Sequence, residues 1–307
     1  MTENPVSKPI KSTKHARMSG QDGSDSKGIL KSGLYVVATP IGNSKDITLR
    51  ALDVLTQADQ VYCEDTRMTK KLFSLHGIQR KPDSYHEHSS DHVRAEILRQ
   101  LEGGLSVALI SDAGTPLISD PGYRLVKDVR EAGHEIFSVP GASSPIAALS
   151  IAGFPSDRFL FAGFLPPKSA ARQTALSELV DIPVTLVLFE SPKRLTGLLK
   201  DIEAVMPDRE AAVCREMTKA FEEVLVGAPA ELIETINANA SARGEIVVLI
   251  NPPAAREKMS ESEVRESLGL ARKSQPLKTA AARVAALSGW SKRDVYQLAL
   301  TFSDEEN

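Results

Sequence analysis

The sequence predicts an α/β protein with two consecutive α/β domains and a small helical tail. From residue 33 onward, short apolar runs of strand length alternate with amphipathic stretches of helix length. This alternation is typical of a mainly parallel sheet with helices on both faces. Gly and Pro interrupt the pattern at 153–155 and again at 252–253, and only helical patterns follow the second interruption.

The first domain is predicted over residues 33–153. Its strands are expected at 34–38, 60–63, 106–110 and 135–139. Its helices are expected at 46–57, 66–75, 91–101, 120–132 and 143–151. Asp120 is the expected N-cap of the fourth helix, with Pro121 in its first position and Gly133 as its stop signal.

The second domain is predicted over residues 154–253. Its strands are expected at 158–162, 184–189, 211–214, 222–226 and 245–250, and its helices at 168–180, from Ser191-Pro192 onward, and at 229–237. The two strands around Thr218 are too close in sequence for a helix between them, so this sheet is predicted to be mixed.

The two ends of the chain differ from these domains. Residues 1–32 are rich in Lys, Ser, Asp and Gly without periodicity, which predicts a disordered arm. Residues 254–307 are predicted to form a helical basic tail, with helices at 261–270, 278–287 and 291–300. Ser291, with Asp294 three residues later, predicts a cap for the last helix.

Composition places the chain among globular proteins of the cytoplasm. Hydrophobic residues make up 42% and charged residues 25%. The longest apolar runs have strand length, well short of the ~20 residues of a membrane helix. The N-terminal lysines precede no apolar segment, so no signal peptide is expected. Cys63 and Cys214 lie in strand-like segments without metal spacing, which favours buried, reduced thiols over a disulfide.

Charge is unevenly distributed. The net charge of −3 argues against general affinity for nucleic acid. Residues 265–294, however, contain seven basic and two acidic residues. The basic stretch could contact phosphates or simply form a solvated helical surface, and both interpretations stay open.

Unusual motifs follow the predicted strands, at the sheet edge where open α/β folds bind ligands. They are TPIGN (39–43), EDTR (64–67), SDAGTPLISDPG (111–122), PGASSP (140–145), ESPKR (190–194) and REMTK (215–219). Turn geometry explains Gly114, Pro116 and Gly141 but not the charged residues. The sequence therefore predicts a functional edge.

Two common types of site are not predicted. The chain has neither G-x-G-x-x-G after its first strand nor a P-loop motif, and TPIGN supplies a single glycine. His86, His88 and His92 lie near Glu87, but one short loop rarely supplies a full zinc site. We therefore interpret them as part of a polar surface loop and expect no metal.

From about residue 33 to 251 the chain resembles the tetrapyrrole methylase superfamily. More narrowly, VATPIGN, EDTR, SDAGTPLISDPG, GFLP, FESPKR, REMTK with FEEV, and GE resemble its ribosomal RNA small subunit methyltransferases. PGASSP departs from the PGPSA common in that family. The resemblance implies S-adenosyl-L-methionine in the cleft between the domains and 2′-O-methylation of a cytidine ribose in the decoding centre. It also implies small-subunit RNA as partner and a homodimer.

On this resemblance, we expect the cofactor to contact Pro40, Ile41, Gly114, Thr115, Ile118, Ser143, Ser144 and Met217. Gly114 and Thr115 would allow close approach of the backbone, and Ile118 would give apolar contact. Ser143 and Ser144 begin a helix, where free N–H groups suit a carboxylate. Helix capping explains these two serines equally well.

Methyl transfer to a hydroxyl needs a positioned acceptor, helped by a base or a cation. The catalytic candidates are Asp65 and Glu190 as bases and Lys219 as the cation. The RNA-binding candidates are Arg67, Lys193, Arg194, Arg215, Arg283, Lys292 and Arg293. For those in the cleft, ion pairing across the domain interface remains an equal alternative.

Two rival functions remain. A precorrin-type methylase would need a roomy apolar cleft, whereas arginines and lysines are predicted at the mouth of this one. A non-catalytic RNA-binding assembly factor would need aromatic side chains on which bases stack. Aromatic residues make up only 5% of this chain, and Trp290 is the single tryptophan.

Overall fold

A computed structural model describes residues 30–86, 91–238, 244–254 and 258–305 of the chain. Of the predicted N-terminal arm, residues 1–29 lie outside this described part, as do Glu87 and His88 of the histidine-rich loop.

The first sheet is parallel throughout, as predicted. Its strands run in the order β3-β2-β4-β1-β5. They are β1 (Gly33–Val37), β2 (Gln60–Cys63), β3 (Asp83–Ser84), β4 (Ser106–Ile110) and β5 (Ile136–Val139). All five residues of β4 are buried, as expected for a strand near the centre of a sheet covered on both faces. The two-residue β3 was not predicted, because it is too short to show a pattern.

Four helices accompany this sheet: α1 (Leu49–Gln57), α2 (Thr66–Leu75), α3 (Asp91–Glu102) and α4 (Tyr123–Glu131). A fifth helix, α5 (Ser144–Ile151), follows β5 but packs against the second sheet. The predicted helix 46–57 is wrong at its start. A 3-10 turn covers Ser44–Asp46, and α1 begins after Thr48, whose Oγ1 accepts a hydrogen bond from Ala51 N at 3.1 Å.

The predicted start of α4 is also wrong. The helix begins at Tyr123, and its N-cap position belongs to Gly122, whose φ of 132° favours glycine. Asp120 therefore does not cap α4 and belongs to the loop before it. Gly133, with φ 78°, follows the helix end as predicted.

The second sheet is mixed, as predicted, with strand order β6-β7-β10-β8-β9. Its strands are β6 (Phe159–Phe164), β7 (Thr185–Glu190), β8 (Ala211–Arg215), β9 (Glu223–Gly227) and β10 (Ile246–Ile250). Strands β6 and β7 are parallel, while β10 is antiparallel to both β7 and β8. Its helices are α6 (Ser169–Ser177), α7 (Pro192–Val205) and α8 (Pro229–Ala238). The start of β10 thus lies beside the ends of β7 and β8.

Three C-terminal helices pack on each other: α9 (Glu261–Arg272), α10 (Leu277–Ser288) and α11 (Lys292–Glu305). Their core includes Val264, Leu268, Val284 and Val295, and every buried residue of this cluster comes from the tail. The predicted cap of α11 is present, because Asp294 N donates to Ser291 Oγ at 3.1 Å. The tail therefore has a hydrophobic core of its own.

Both cysteines are buried and unpaired, as predicted, and burial raises the pKa of each thiol, that of Cys214 to about 12. Among the helices of the described ranges, none combines the length and the apolar character that crossing a bilayer requires.

Candidate active site

A cavity of about 330 Å³ lies between the edges of the two sheets. The loops after β1, β4 and β5 form one side, while the ends of β7 and β8 and the start of β10 form the other. Nine predicted site residues line it: Ile41, Gly114, Thr115, Ile118, Ser143, Ser144, Glu190, Met217 and Lys219. Pro40 lines an adjoining groove instead.

Backbone hydrogen bonds fix the first-sheet side of the cavity. Thr39 and Gly114 exchange N–H to carbonyl bonds of 2.8 and 3.1 Å, and Thr115 Oγ1 donates to Ala142 O at 3.1 Å. Gly114 has φ 80°, and a Cβ there would lie 3.3 Å from Ile41 Cγ2. The glycine therefore permits both the turn and the close approach of these two loops.

The serines at the start of α5 were open to two interpretations. Ser143 occupies the N-cap position, but its side chain makes no capping hydrogen bond. Capping therefore does not account for this hydroxyl, which lines the cavity with Ser144. The free N–H groups of the first helical turn lie in the same region.

Backbone strain is concentrated at this site. In the described part of the chain, the non-glycine residues with positive φ are Leu117, Ser119, Glu216 and Thr218. The first pair lies in the loop after β4 and the second in the turn after β8, on opposite sides of the cavity. Conformations of this kind persist where the surroundings enforce them, and they cluster at functional sites.

The cavity is strongly acidic. Six carboxylates line it: Glu64, Asp112, Asp120, Glu190, Glu216 and Glu245. The one basic residue in its lining is Lys219, whose Nζ lies 2.9 Å from Glu216 Oε1. Burial, hydrogen bonding and neighbouring carboxylates act on Asp120, and desolvation dominates, raising its pKa to about 6. Such a cavity favours a cationic ligand over a phosphate.

Glu190 combines burial with an unsatisfied atom. Its exposure is 3%, and its Oε1 accepts from Ser191 N at 2.7 Å and lies 3.1 Å from Arg194 Nε. Its Oε2 has no hydrogen-bond partner. Leaving a buried carboxylate oxygen unpaired is costly, so this atom is suited to receive a donor from a ligand.

Asp65 and Arg67 lie outside the central cavity. Asp65 is the N-cap of α2, and its carboxylate accepts hydrogen bonds from Arg67 N at 2.8 Å and from the Arg67 guanidinium at 2.7 Å. The side chain of Arg67, more than any other group, lowers the pKa of Asp65 to about 2. Both residues line a separate polar cavity with His86, which Asp112 connects to the central one.

The other basic candidates are distributed around the site. Arg194 donates to Leu165 O at 2.7 Å, and Arg215 pairs with Glu223. Lys193 is exposed at the start of α7. In the tail, Arg283, Lys292 and Arg293 are exposed and do not line the cavity. Arg67, Arg194 and Arg215 thus form ion pairs, and each of these pairs joins two residues of the same domain rather than spanning the domain interface.

Sequence reasoning missed several lining residues: Glu64, Asp112, Asp120, Phe164, Phe189, Glu216 and Glu245. Each lies inside one of the quoted motifs, so their position at a strand end was the available signal. Phe164 and Phe189 form a tilted pair with ring centroids 5.5 Å apart, and they give the cavity an apolar wall.

Comparison with known proteins agrees with this geometry. Residues 33–233 match the family of tetrapyrrole (corrin/porphyrin) methylases, and residues 258–303 match the RsmI C-terminal helix-turn-helix domain. The chain is 46% identical over 276 residues to ribosomal RNA small subunit methyltransferase I of Mesorhizobium japonicum, covering 90% of this chain and 94% of that protein. This chain belongs to the ribosomal RNA small subunit methyltransferase I family.

Other family members are similar over almost the whole chain. The Neisseria meningitidis serogroup B protein is 41% identical, covering 93% of this chain and 98% of its own. Among solved structures, diphthine synthase has a TM-score of 0.56 at 15% identity, covering 71% of this chain and 89% of that one. Cobalt precorrin-4 methyltransferase has a TM-score of 0.51 at 18% identity, covering 71% and 94%. The predicted fold and the prediction of a ribosomal RNA methyltransferase are thereby confirmed.

Proposed function

We propose that this protein transfers a methyl group from S-adenosyl-L-methionine to the 2′-oxygen of a cytidine ribose in small-subunit ribosomal RNA. The observation that carries the proposal is the acidic cavity between the two sheets, in a chain whose relatives are named for small-subunit RNA methylation. We place the reaction in the cytoplasm and, more finely, at the decoding centre of the subunit.

The cavity suits this cofactor in charge and in shape. Six carboxylates surround a space that would receive a sulfonium cation, which they attract. Phe164 and Phe189 supply an apolar wall for a flat base. Ser143 and Ser144 at the start of α5 suit the methionine carboxylate. We also propose that the site works without a metal; within the described part of the chain, no group of three or more His, Cys, Asp or Glu side chains is arranged to hold a metal ion.

The reaction depends on how the protein aligns the acceptor oxygen with the methyl group, and it needs no covalent intermediate with the protein. The cofactor supplies a sulfonium methyl; transfer forms a bond from its carbon to the ribose oxygen, breaks the carbon–sulfur bond and releases the hydroxyl proton. We assign Glu190 Oε2 to accept a hydrogen bond from the ribose hydroxyl or from its proton carrier. Lys219, which lines the same side of the cavity, would stabilise charge on that oxygen.

We give Asp65 a different role from the one expected. Its carboxylate is held by Arg67 and faces the adjoining cavity, and a pKa of about 2 makes it a weak base. We therefore propose that Asp65 positions the start of α2. We propose that Arg67, Lys193, Arg194 and Arg215 bind RNA phosphates, and that Arg283, Lys292 and Arg293 do so from the tail.

Two rival functions predict different results in one pair of measurements. Calorimetry with S-adenosyl-L-methionine would show binding by either methylase and none by a non-catalytic RNA-binding factor. Methyl transfer to small ribosomal subunits that lack the modification would occur only with an RNA methylase. Methylation of a precorrin with no transfer to subunits would favour the tetrapyrrole alternative.

We also propose a homodimer. Ile146 on α5, Phe221 and Val226 are 52, 82 and 51% exposed, which is apolar surface of the kind that an interface covers. Sedimentation at micromolar concentration should give the mass of two chains, and a monomer mass would contradict the proposal.

A further inference from the structure

A second groove of about 370 Å³ adjoins the central cavity. It lies between the loop after β1 and one face of α2, and we call it the α2 groove. Its α2 wall consists of Met68, Thr69, Lys71, Leu72 and Leu75. Five residues line both spaces: Ile41, Asp112, Ala113, Lys219 and Glu245. A ligand in the groove would therefore reach the edge of the proposed cofactor site.

The helix presents this wall because of its residue spacing. Met68, Leu72 and Leu75 occur at i, i+4 and i+7, so they form one stripe, while Phe73 is buried in the core of the first domain. Met68 and Leu75 are 52 and 61% exposed. The folded chain thus leaves an apolar strip beside its acidic cavity, with Lys71 on the same strip.

The α2 groove and the polar cavity around Arg67 differ in the net formal charge of their linings. The groove contains Lys71 and Lys219 against Asp112 and Glu245, so its formal charges cancel. The polar cavity contains Glu64, Asp65 and Asp112 against Arg67, which leaves an excess of negative charge. An RNA strand carries one negative charge per phosphate, so it enters the α2 groove at lower electrostatic cost.

We propose that the α2 groove receives the nucleotide that is to be methylated. Its base packs on Met68, Leu72 and Leu75, and a flanking phosphate binds Lys71. The ribose then lies between Lys219 and Glu245, where groove and cavity meet and the 2′-hydroxyl faces the cofactor. This inference rests on the proposed function. It requires the nucleotide to leave its stack, as bases do when enzymes act on structured nucleic acid.

The first test places a charge on the apolar strip. Leu75→Asp should raise KM for small ribosomal subunits by at least about tenfold, because a carboxylate would repel the strand and expose the base to water. Affinity for S-adenosyl-L-methionine should stay unchanged in calorimetry. Ser74→Asp is the matched control, since Ser74 is an exposed neighbour on α2 outside the groove. If Leu75→Asp proves unstable, Met68→Gln, an uncharged change of similar size, can be used in its place. It should also raise KM, by a smaller factor.

The second test removes the phosphate contact. Lys71→Ala should flatten the dependence of RNA binding on salt by a slope of roughly 0.7 to 0.9, the value for one lost contact. Lys70→Ala removes the same charge from the same helix outside the groove and should leave the slope unchanged. Equal slopes for both lysine variants, or equal KM for the Leu75 and Ser74 variants, would overturn the inference. Inactive wild-type protein would instead contradict the proposed function.

Discussion

Asn43 and Thr218 join the two sheets across the cleft: the backbone N–H of Asn43 donates to Thr218 Oγ1 at 3.0 Å. Asn43 belongs to the loop after β1, and Thr218, with φ 65°, belongs to the turn after β8. Both loops also contribute lining residues to the central cavity, Ile41 and Met217. This contact therefore fixes the distance between the two sides of the proposed cofactor site.

Gly42 allows this contact, and Gly42→Ala should weaken it. A Cβ there would lie 2.7 Å from Thr218 Oγ1 and 2.8 Å from Met217 O, and a backbone atom cannot move aside cheaply. We expect a loss of roughly 1–3 kcal/mol in unfolding free energy and weaker cofactor binding. Gly269→Ala is the control, because its Cβ would meet nothing within 4 Å. If Gly42→Ala and Gly269→Ala changed the melting temperature and the cofactor affinity to the same extent, this role for Gly42 would be contradicted.

Bulky side chains at the cavity wall should block the cofactor. Thr115→Arg and Ser143→Trp each fill space in the proposed site and should weaken S-adenosyl-L-methionine binding by more than about tenfold, or ~1.4 kcal/mol. Ser150→Trp is the control, since Ser150 is exposed on α5 and does not line the cavity. Calorimetry measures the affinity, and circular dichroism checks the fold. Normal affinity in a folded variant would remove that loop from the site.

Glu190→Gln and Lys219→Ala should lower turnover more than cofactor affinity. Loss of a positioned acid, base or cation typically lowers rates by ~10²–10⁴-fold. Asp65→Asn should have a smaller effect, because Asp65 lines the adjoining cavity and its carboxylate is held by Arg67. Single-turnover methyl transfer at saturating cofactor separates the two quantities. If the Asp65 variant lost as much turnover as the Glu190 variant, the assignment of Glu190 as the base and Asp65 as a positioning residue would be contradicted.

Asp120 should give the protein a pH dependence. Its pKa is 3.8 in the reference state and about 6 in the fold, so the folded chain holds this proton more tightly. Stability from this group therefore falls as pH rises from about 4 to 6 and stays low above. At pH values well above 6, Asp120→Asn should raise the melting temperature. Below pH 4 it should leave the melting temperature unchanged.

The same residue should affect the cofactor. An ionised Asp120 attracts a sulfonium cation, so wild-type affinity should decrease as pH falls through 6. In Asp120→Asn, calorimetry should give an affinity with a weaker dependence on pH over this range. Identical pH profiles for the two proteins would show that Asp120 does not contact the cofactor's charge.

The C-terminal helices should matter for RNA and not for the cofactor. Deleting the chain after Pro253 should leave cofactor affinity unchanged, because the tail has its own core and does not line the cavity. RNA binding should weaken, and its salt dependence should flatten by roughly 0.7 to 0.9 per lost phosphate contact. A lower melting temperature with unchanged RNA affinity and salt slope would show that the tail only stabilises the fold.

Local sequence predicted the elements better than it predicted the loops between them. Strand β4 and helix α2 begin and end where the alternation of apolar and amphipathic segments predicted. Asp120 was misassigned as an N-cap because an Asp before a Pro is typical of a helix start. In the fold, the positive φ angles of Ser119 and Gly122 turn this loop toward the cleft, which sequence spacing does not reveal.

The site shows the same limit. Asp65 and Glu190 both follow strands and looked equivalent in sequence, yet only Glu190 lines the central cavity. Asp65 accepts hydrogen bonds from Arg67, two residues later, at the start of α2, so its carboxylate remains in the adjoining space. Glu64 and Glu245 line the cavity but were not predicted, because they follow β2 and precede β10, strands of two different sheets whose edges meet at the cleft.

The central claim is tested most directly by nucleoside analysis of ribosomal RNA. Small subunits from cells lacking this methylation would be incubated with the full-length protein and S-adenosyl-L-methionine, and their RNA digested and analysed by mass spectrometry. The account predicts that 2′-O-methylcytidine appears with wild-type protein and is strongly reduced with Glu190→Gln. Base-methylated nucleosides, or no new methylated nucleoside from protein that binds the cofactor, would contradict it.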